Sequence, residues 1–279
     1  MELDFGQEGY GEYFDGFMRN FLTIRTGEIP RIGEVYEGFK ALARSFQDSE
    51  TSEREKVEAL VKDVREASKN FCALALGHEM EPSLKRAFKD LRELRVDVAY
   101  PLLLELYEVY REGLLNVEEF ENVIRLVESY VFRRAVCEIP TNSMNKTFAN
   151  FMKSVDRERL LESIKAQFLL LPSYRRFPKD EEFHRRLQDR DLYHFRSRSY
   201  WLRRFENYDR KEPIAVDEYT IEHILPQNEN LNARWREDLG EDWHEIQEKW
   251  LHTLGNLTLT GYNSEYSDND FVKKREMAG

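Results

Sequence analysis

Two short stretches near the end of the chain hold residue types that could do chemistry together. Ile221-Glu222-His223-Ile224-Leu225-Pro226-Gln227 sets an acid and an imidazole in a β-rich run just before a proline. Leu254-Gly255-Asn256-Leu257-Thr258-Leu259-Thr260-Gly261-Tyr262-Asn263-Ser264 is a second β-rich run, bearing two asparagines. Ser267 then opens a short helical pattern that closes on Lys273-Lys274-Arg275. The order reads strand, long loop, strand, helix. It gathers a candidate base, a candidate acidic metal ligand and two oxygen-bearing amides, a set suited to hydrolysing a phosphodiester with one divalent ion. Unaided, that reaction is slow: the anionic centre repels a nucleophile and the leaving alkoxide is poor. A histidine that takes a proton from water, and a cation that stabilises developing charge, address both obstacles.

Taken together, the blocks Glu-His-Ile-Leu-Pro-Gln, Leu-Gly-Asn-Leu-Thr-Leu-Thr, Asn-Ser and Phe-x-x-Lys-Lys (Phe271, Lys273, Lys274) resemble the HNH-like nuclease domain at the C-terminus of GmrSD-type restriction endonucleases. That domain is marked by His-x-x-Pro, here His223-Ile224-Leu225-Pro226. Four linked blocks in order are far more specific than the bare motif. The resemblance implies His223 as the base, and an ordinary imidazole pKa of about 6.5 suits that role. It implies Glu222 and Asn263 as ligands of Mg²⁺ (or Mn²⁺), an ion that takes oxygen ligands and retains waters. It implies Asn256 as a catalytic-site residue that positions the base through backbone bonds. A regular strand sends neighbouring side chains to opposite faces. Glu222 and His223 therefore share one site only if the strand is distorted, which Pro226 favours.

Plainer readings stand beside these. Either asparagine could be a turn-former, and His223 an ordinary strand histidine bonded to backbone. Lys273 and Lys274 suit contact with nucleic-acid phosphates, while a solvated helix end accounts for at least one of them. His252, close before Asn256, is a candidate for lining the site. His78, His184, His194 and His244 show no partner pattern and read as structural or surface residues. The lack of any Cys-x-x-Cys pair excludes a zinc-ribbon version of the fold. Trp235, Trp243 and Trp250, in the long connection, read as its own small core.

With 279 residues, 41% hydrophobic and 13% aromatic, the chain is long enough for one or two folded domains. A net charge of −11 argues against indiscriminate nucleic-acid binding. From Tyr174 to Lys211, however, Lys and Arg are dense and interleaved with aromatics, Arg203 and Arg204 among them. Such a segment suits phosphate-backbone contact. It equally suits a solvated face paired with Asp180, Glu181, Glu182, Asp189 and Asp191. Cys72 and Cys137 read as buried free thiols of a reducing, cytoplasmic setting. No apolar run approaches the roughly 20 residues a membrane span needs, so no membrane role is expected.

The elements that must carry the motif are mostly helical. Asn116 to Val136 opens on an Asn116/Glu119 capping box and repeats Phe120, Val123, Ile124, Val127, Tyr130 and Val131 at helical spacing. Asp97 to Leu114 (with Gly113 as its stop), Glu53 to Leu76 and Leu84 to Leu94 read as helices by the same test. The expected fold is mainly α: an antiparallel helical bundle over residues 1–160, then a small α+β HNH-type (ββα-metal) nuclease domain over 161–279.

The resemblance extends upstream, through Phe21-Leu22-Thr23 to Tyr36-Glu37-Gly38-Phe39-Lys40 and through Arg133 to Lys146. These resemble the family's helical region, which joins an N-terminal nucleotide-dependent domain to the nuclease. That domain's Asp-Gly-Gln-Gln-Arg motif is not in this sequence, nor is a Walker glycine loop. The expectation is a chain that begins inside the first domain and stops short of the usual nuclease end. By resemblance it is a Mg²⁺-dependent DNA endonuclease or nickase of phage defence. Its substrate is double-stranded DNA, in this family often modified, and its partner the missing N-terminal domain. The alternative is a catalytically inactive helical fragment serving protein interaction or regulation.

Overall fold

The computed structural model describes residues 2–45, 52–216, 218–261 and 263–277; Tyr262 of the second motif lies outside them. Over these residues the chain is mainly helical, with a small two-stranded antiparallel sheet. It divides into two compact units, Met1–Ala135 with Ile139–Phe177, and Val136–Glu138 with Pro178–Gly279.

The first unit holds α1 (Glu2–Thr26), α2 (Val35–Ser45), α3 (Glu53–Leu76), α4 (Pro82–Leu94), α5 (Tyr100–Arg111), α6 (Val117–Val136), α7 (Met144–Ala149) and α8 (Leu160–Leu170). Local chemistry sets their ends. Ser52 Oγ accepts from Glu55 N at 3.3 Å and the Glu55 carboxylate returns to Ser52 N at 3.1 Å, while Gly77 stops α3 at φ +78°. Asn116 and Glu119 form the same reciprocal cap on α6, at 3.0 and 2.9 Å. The helix expected from Asp97 begins instead as a 3₁₀ turn, Asp97–Ala99, and becomes α5 where Pro101 stands in the first turn. Leu102, Leu103 and Leu106 of α5 and Phe120, Val123, Ile124 and Val127 of α6 are fully buried. Charge links tie helices across this core: Arg25 of α1 reaches Asp63 of α3 at 2.6 Å and Glu108 of α5 at 2.7 Å. Among the described residues no strand precedes Arg133, and no helix is long and apolar enough to cross a membrane.

The second unit holds α9 (Asp180–Asp189), α10 (Arg198–Glu206), β1 (Thr220–His223), α11 (Ala233–Leu239), α12 (Trp243–Trp250), β2 (Leu257–Thr260), α13 (Asn263–Tyr266) and α14 (Phe271–Met277). β1 and β2 pair antiparallel, from Thr220 opposite Thr260 to His223 opposite Leu257. α10 packs on β2, α13 on β1, and α9 against the Leu254–Asn256 turn that leads into β2.

The sequence reading differs from this unit in two places. The long connection is helical, because Asn232 caps α11 by accepting from Trp235 N at 3.0 Å. Trp235 then packs with Leu225 and Leu231, against Leu239 and Trp243. Trp250 stays outside that cluster, 39% exposed, with the Lys249 ammonium over its ring. Nor does Ser267 open a helix: at φ +40° it sits in the turn between α13 and α14.

Candidate active site

β1 grows more buried along its length, from exposed Thr220 to His223, which is 3% exposed. The backbone beyond it is held by side chains from two other elements. Ile224 N donates to Asn256 O at 2.9 Å, extending the ladder past the last paired residue. Asn256 Oδ1 accepts from Leu225 N at 2.6 Å, and its Nδ2 donates to Leu225 O at 3.1 Å and Leu251 O at 2.8 Å. This buried amide is thus fully engaged with main chain on both sides of it. Gln247 of α12 donates from Nε2 to Pro226 O at 2.7 Å and Asn228 O at 3.0 Å. Together these bonds fix the chain that leaves His223, including the turn at buried Pro226.

The His223 ring is enclosed by other rings. Its Nε2 lies 3.1 Å from Nδ1 of His252. Tyr193 meets it edge-on at 4.5 Å and stacks on His252 at 5.2 Å and 13°. His194 stands edge-on to His252 at 4.6 Å, and its own Nδ1 lies 2.8 Å from Asp191 Oδ2. Burial, reinforced by His252, Lys274 and His194, pushes His223 down from 6.5 to about 4. Burial also lowers His252, against the opposing pull of Asp191. At neutral pH the His223 imidazole is therefore uncharged, with a nitrogen able to accept a proton.

Glu222 lies on the other side of the strand, as alternation requires. It is 7% exposed, and its Oε1 accepts from Lys274 Nζ of α14 at 2.6 Å. The same ammonium donates to His223 O at 2.9 Å and is itself 6% exposed. Asn263 Nδ2 donates to Ile221 O at 3.2 Å. Among the described residues, no three His, Cys, Asp or Glu side chains stand at metal-holding geometry. Of the residues that the resemblance gives to Mg²⁺, Glu222 does not fit that ion as it is placed, because a buried ammonium already neutralises it. Asn263 meets the strand through its amide nitrogen, which is not the atom a cation would take.

The remaining named residues fall outside this enclosure. Arg203 is half-buried and Arg204 exposed, both in the second half of α10. Lys273 is exposed and donates to Asn269 Oδ1 at 2.8 Å. Within the basic segment several cations are engaged: Arg190 with Glu138 at 2.6 Å, Arg210 with Glu206 at 2.6 Å, and Arg198 over the Tyr193 ring. Sequence reasoning passed over Gln247, and took Tyr193 and Asp191 only as parts of the basic, aromatic segment and His194 as a structural or surface residue. The Asp191-x-x-His194 spacing was the one signal that could have marked the last two.

Residues 177–278 match the family model of the C-terminal domain of GmrSD restriction endonucleases. That points to a nuclease family for this part of the chain, and the match covers the second unit from its first long segment, Pro178–Gly279, almost to its end. The stretch is consistent with the C-terminal part of a GmrSD-type restriction endonuclease. No curated protein and no solved structure matches the chain.

Proposed function

We propose that the second unit is an HNH-like DNA endonuclease or nickase in which His223 activates water for phosphodiester hydrolysis. The observation that carries this reading is the imidazole at the end of β1, on a backbone clamped by Asn256 and Gln247, within the residues that match the restriction-endonuclease family. In the proposed step the His223 imidazole removes a proton from water as the oxygen attacks phosphorus and the bond to the leaving sugar oxygen breaks. Burial keeps this ring neutral at pH 7 and also makes it a weaker proton acceptor than a free imidazole, so the reading stands on where the ring is placed rather than on its titration. Arg203, Arg204 and Lys273 lie outside the enclosure, where phosphate contacts would bind and orient DNA without reading its sequence. Asn256 is the positioning residue. Lys274 is reassigned from phosphate contact to holding Glu222 and the end of β1.

The family's work in restriction makes phage DNA, often modified, the proposed substrate class, with recognition supplied together with an N-terminal nucleotide-dependent domain of the parent protein. Mg²⁺ or Mn²⁺ remains the ion to supply in the assay, and no part of the proposed step is assigned to it. The experiment is DNA cleavage by the full chain, wild type against His223→Ala. Cleavage that vanishes in a folded His223→Ala protein supports the reading. Cleavage that persists, free of contaminating nuclease, leaves the inactive, partner-binding alternative.

A further inference from the structure

One of the two ring nitrogens of His223 is already engaged, which limits how this side chain can act as a base. We propose that His252 is the positioning partner of His223, its Nδ1 accepting the Nε2–H of His223 so that the His223 Nδ1 lone pair is left for the attacking water. The inference rests on the nuclease reading, and it concerns residues on four neighbouring pieces of the second unit.

An imidazole nitrogen pair 3.1 Å apart holds a single proton between its members. Two arrangements satisfy that contact when both rings are neutral. If His252 donated, His223 would carry its own proton on Nδ1 and accept at Nε2, and no lone pair would remain free for water. If His223 donates from Nε2, its Nδ1 is the basic nitrogen. Only the second arrangement makes this ring a base at its free edge. When the water proton arrives on Nδ1, the bond to His252 becomes charge-assisted, and such bonds are shorter and about twice as strong as neutral ones. The bond therefore strengthens as the reaction proceeds, which is the property that makes a partner useful to catalysis. It is the arrangement of a base oriented by a third group, with an imidazole in place of the usual carboxylate.

The surroundings are built to hold His252 in that place. Its carbonyl accepts from Leu192 N at 2.9 Å and from Tyr193 N at 3.4 Å, so the Leu192–Tyr193 backbone is fastened to it. The Tyr193 ring then stacks on His252 and touches the His223 edge, setting the angle between the two imidazole planes at 78°. His194, bound to Asp191, stands edge-on to His252. The charged and titratable groups facing the pair are Asp191, His194 and Tyr193 on the segment before α10, with Lys274 of α14 and Glu222 of β1 behind the strand. Burial, His252, Lys274 and His194 disfavour a positive charge on His223, while Asp191 favours one.

The test uses the full chain with supercoiled DNA, Mg²⁺ or Mn²⁺ present, and two variants at this position. His252→Asn retains an oxygen acceptor close to where Nδ1 stood, and His252→Phe retains the ring's bulk without an acceptor. The expected result is a loss on the order of 100-fold in kcat for His252→Phe, with KM for DNA unchanged and the acid limb of the pH profile displaced. His252→Asn recovers to within about tenfold of wild type. Equal impairment in the two variants, or an unchanged kcat and acid limb in folded His252→Phe, overturns the proposal. A second measurement needs no activity: ¹⁵N chemical shifts report the His223 tautomer. The Nε2–H form is expected, lost in His252→Phe, and a Nδ1–H form overturns the proposal outright. The two readings fail separately. An inactive His223→Ala beside a fully active His252→Phe sinks this inference alone, whereas an active His223→Ala sinks the nuclease assignment and leaves the tautomer to decide how the two rings are paired.

Discussion

At the scale of the residue, the site is a set of polar groups whose burial has been compensated unequally. Glu222 and Lys274 neutralise one another at 2.6 Å, both nearly inaccessible. Removing one partner of such a pair leaves the other charged and buried, which costs about 3–5 kcal/mol. Lys274→Ala is therefore expected to lower unfolding free energy by that amount, and the double variant Glu222→Leu with Lys274→Met to recover most of it, measured by urea denaturation. A change below about 1 kcal/mol for Lys274→Ala would show the pair to be dispensable. His223 behaves differently, since its burial favours the neutral form. Its folded pKa of about 4 lies below the ordinary 6.5, so its contribution to stability is complete above about pH 6.5 and is lost as pH falls through 4. At about 1.4 kcal/mol for each pH unit of separation, that is at most about 3.5 kcal/mol. Melting temperature should fall between pH 7 and pH 4.5 more steeply in the wild type than in His223→Gln; parallel slopes would contradict it. The chemistry of these residues was legible in the sequence only in part. Lys273 and Lys274 are equal on paper, but neighbours on a helix lie about 100° apart, and only packing decides that Lys274 turns inward.

At the scale of the element, the antiparallel pair is short, four residues a side, and its neighbours hold it. The alternation that made Glu222 and His223 an awkward pair is obeyed: one meets Lys274, the other His252 and Tyr193. Both faces are covered, so adjacent residues are both buried without a distorted strand. The strands were readable from their β-rich runs, whereas α11 and α12 span only seven and eight residues, too few turns for periodicity to speak. They exist because Asn232 caps one and Trp235 anchors it to Leu225 and Leu231. α10 carries the testable surface. Its inner residues Tyr200, Trp201 and Leu202 are buried, and Arg204 is exposed. If Arg203 and Arg204 bind phosphates, neutralising both should weaken DNA binding and flatten the log–log salt dependence by about 1 for each phosphate left without its cation. An unchanged slope assigns these arginines to the protein's own surface.

At the scale of the whole molecule, the larger helical unit was legible from its caps and stripes, and α3 runs over the residues its pattern marked. The place where that unit ends was harder to read. A line at residue 160 separates α8 from the core it joins, because Phe168 packs on Tyr130 and Phe151 in the first unit. An apolar stripe says that a helix is buried without saying against what. The family match begins at 177, beside the boundary that packing sets. The central claim is that this second unit cuts DNA through His223. Its most direct test is the rate at which supercoiled plasmid is nicked or linearised by the full chain, with Mg²⁺ or Mn²⁺ supplied. The claim predicts cleavage by the wild type and a loss of at least about 100-fold in His223→Ala, at unchanged DNA affinity and unchanged far-ultraviolet circular dichroism. Equal rates in the two proteins, after repeated purification, would contradict it.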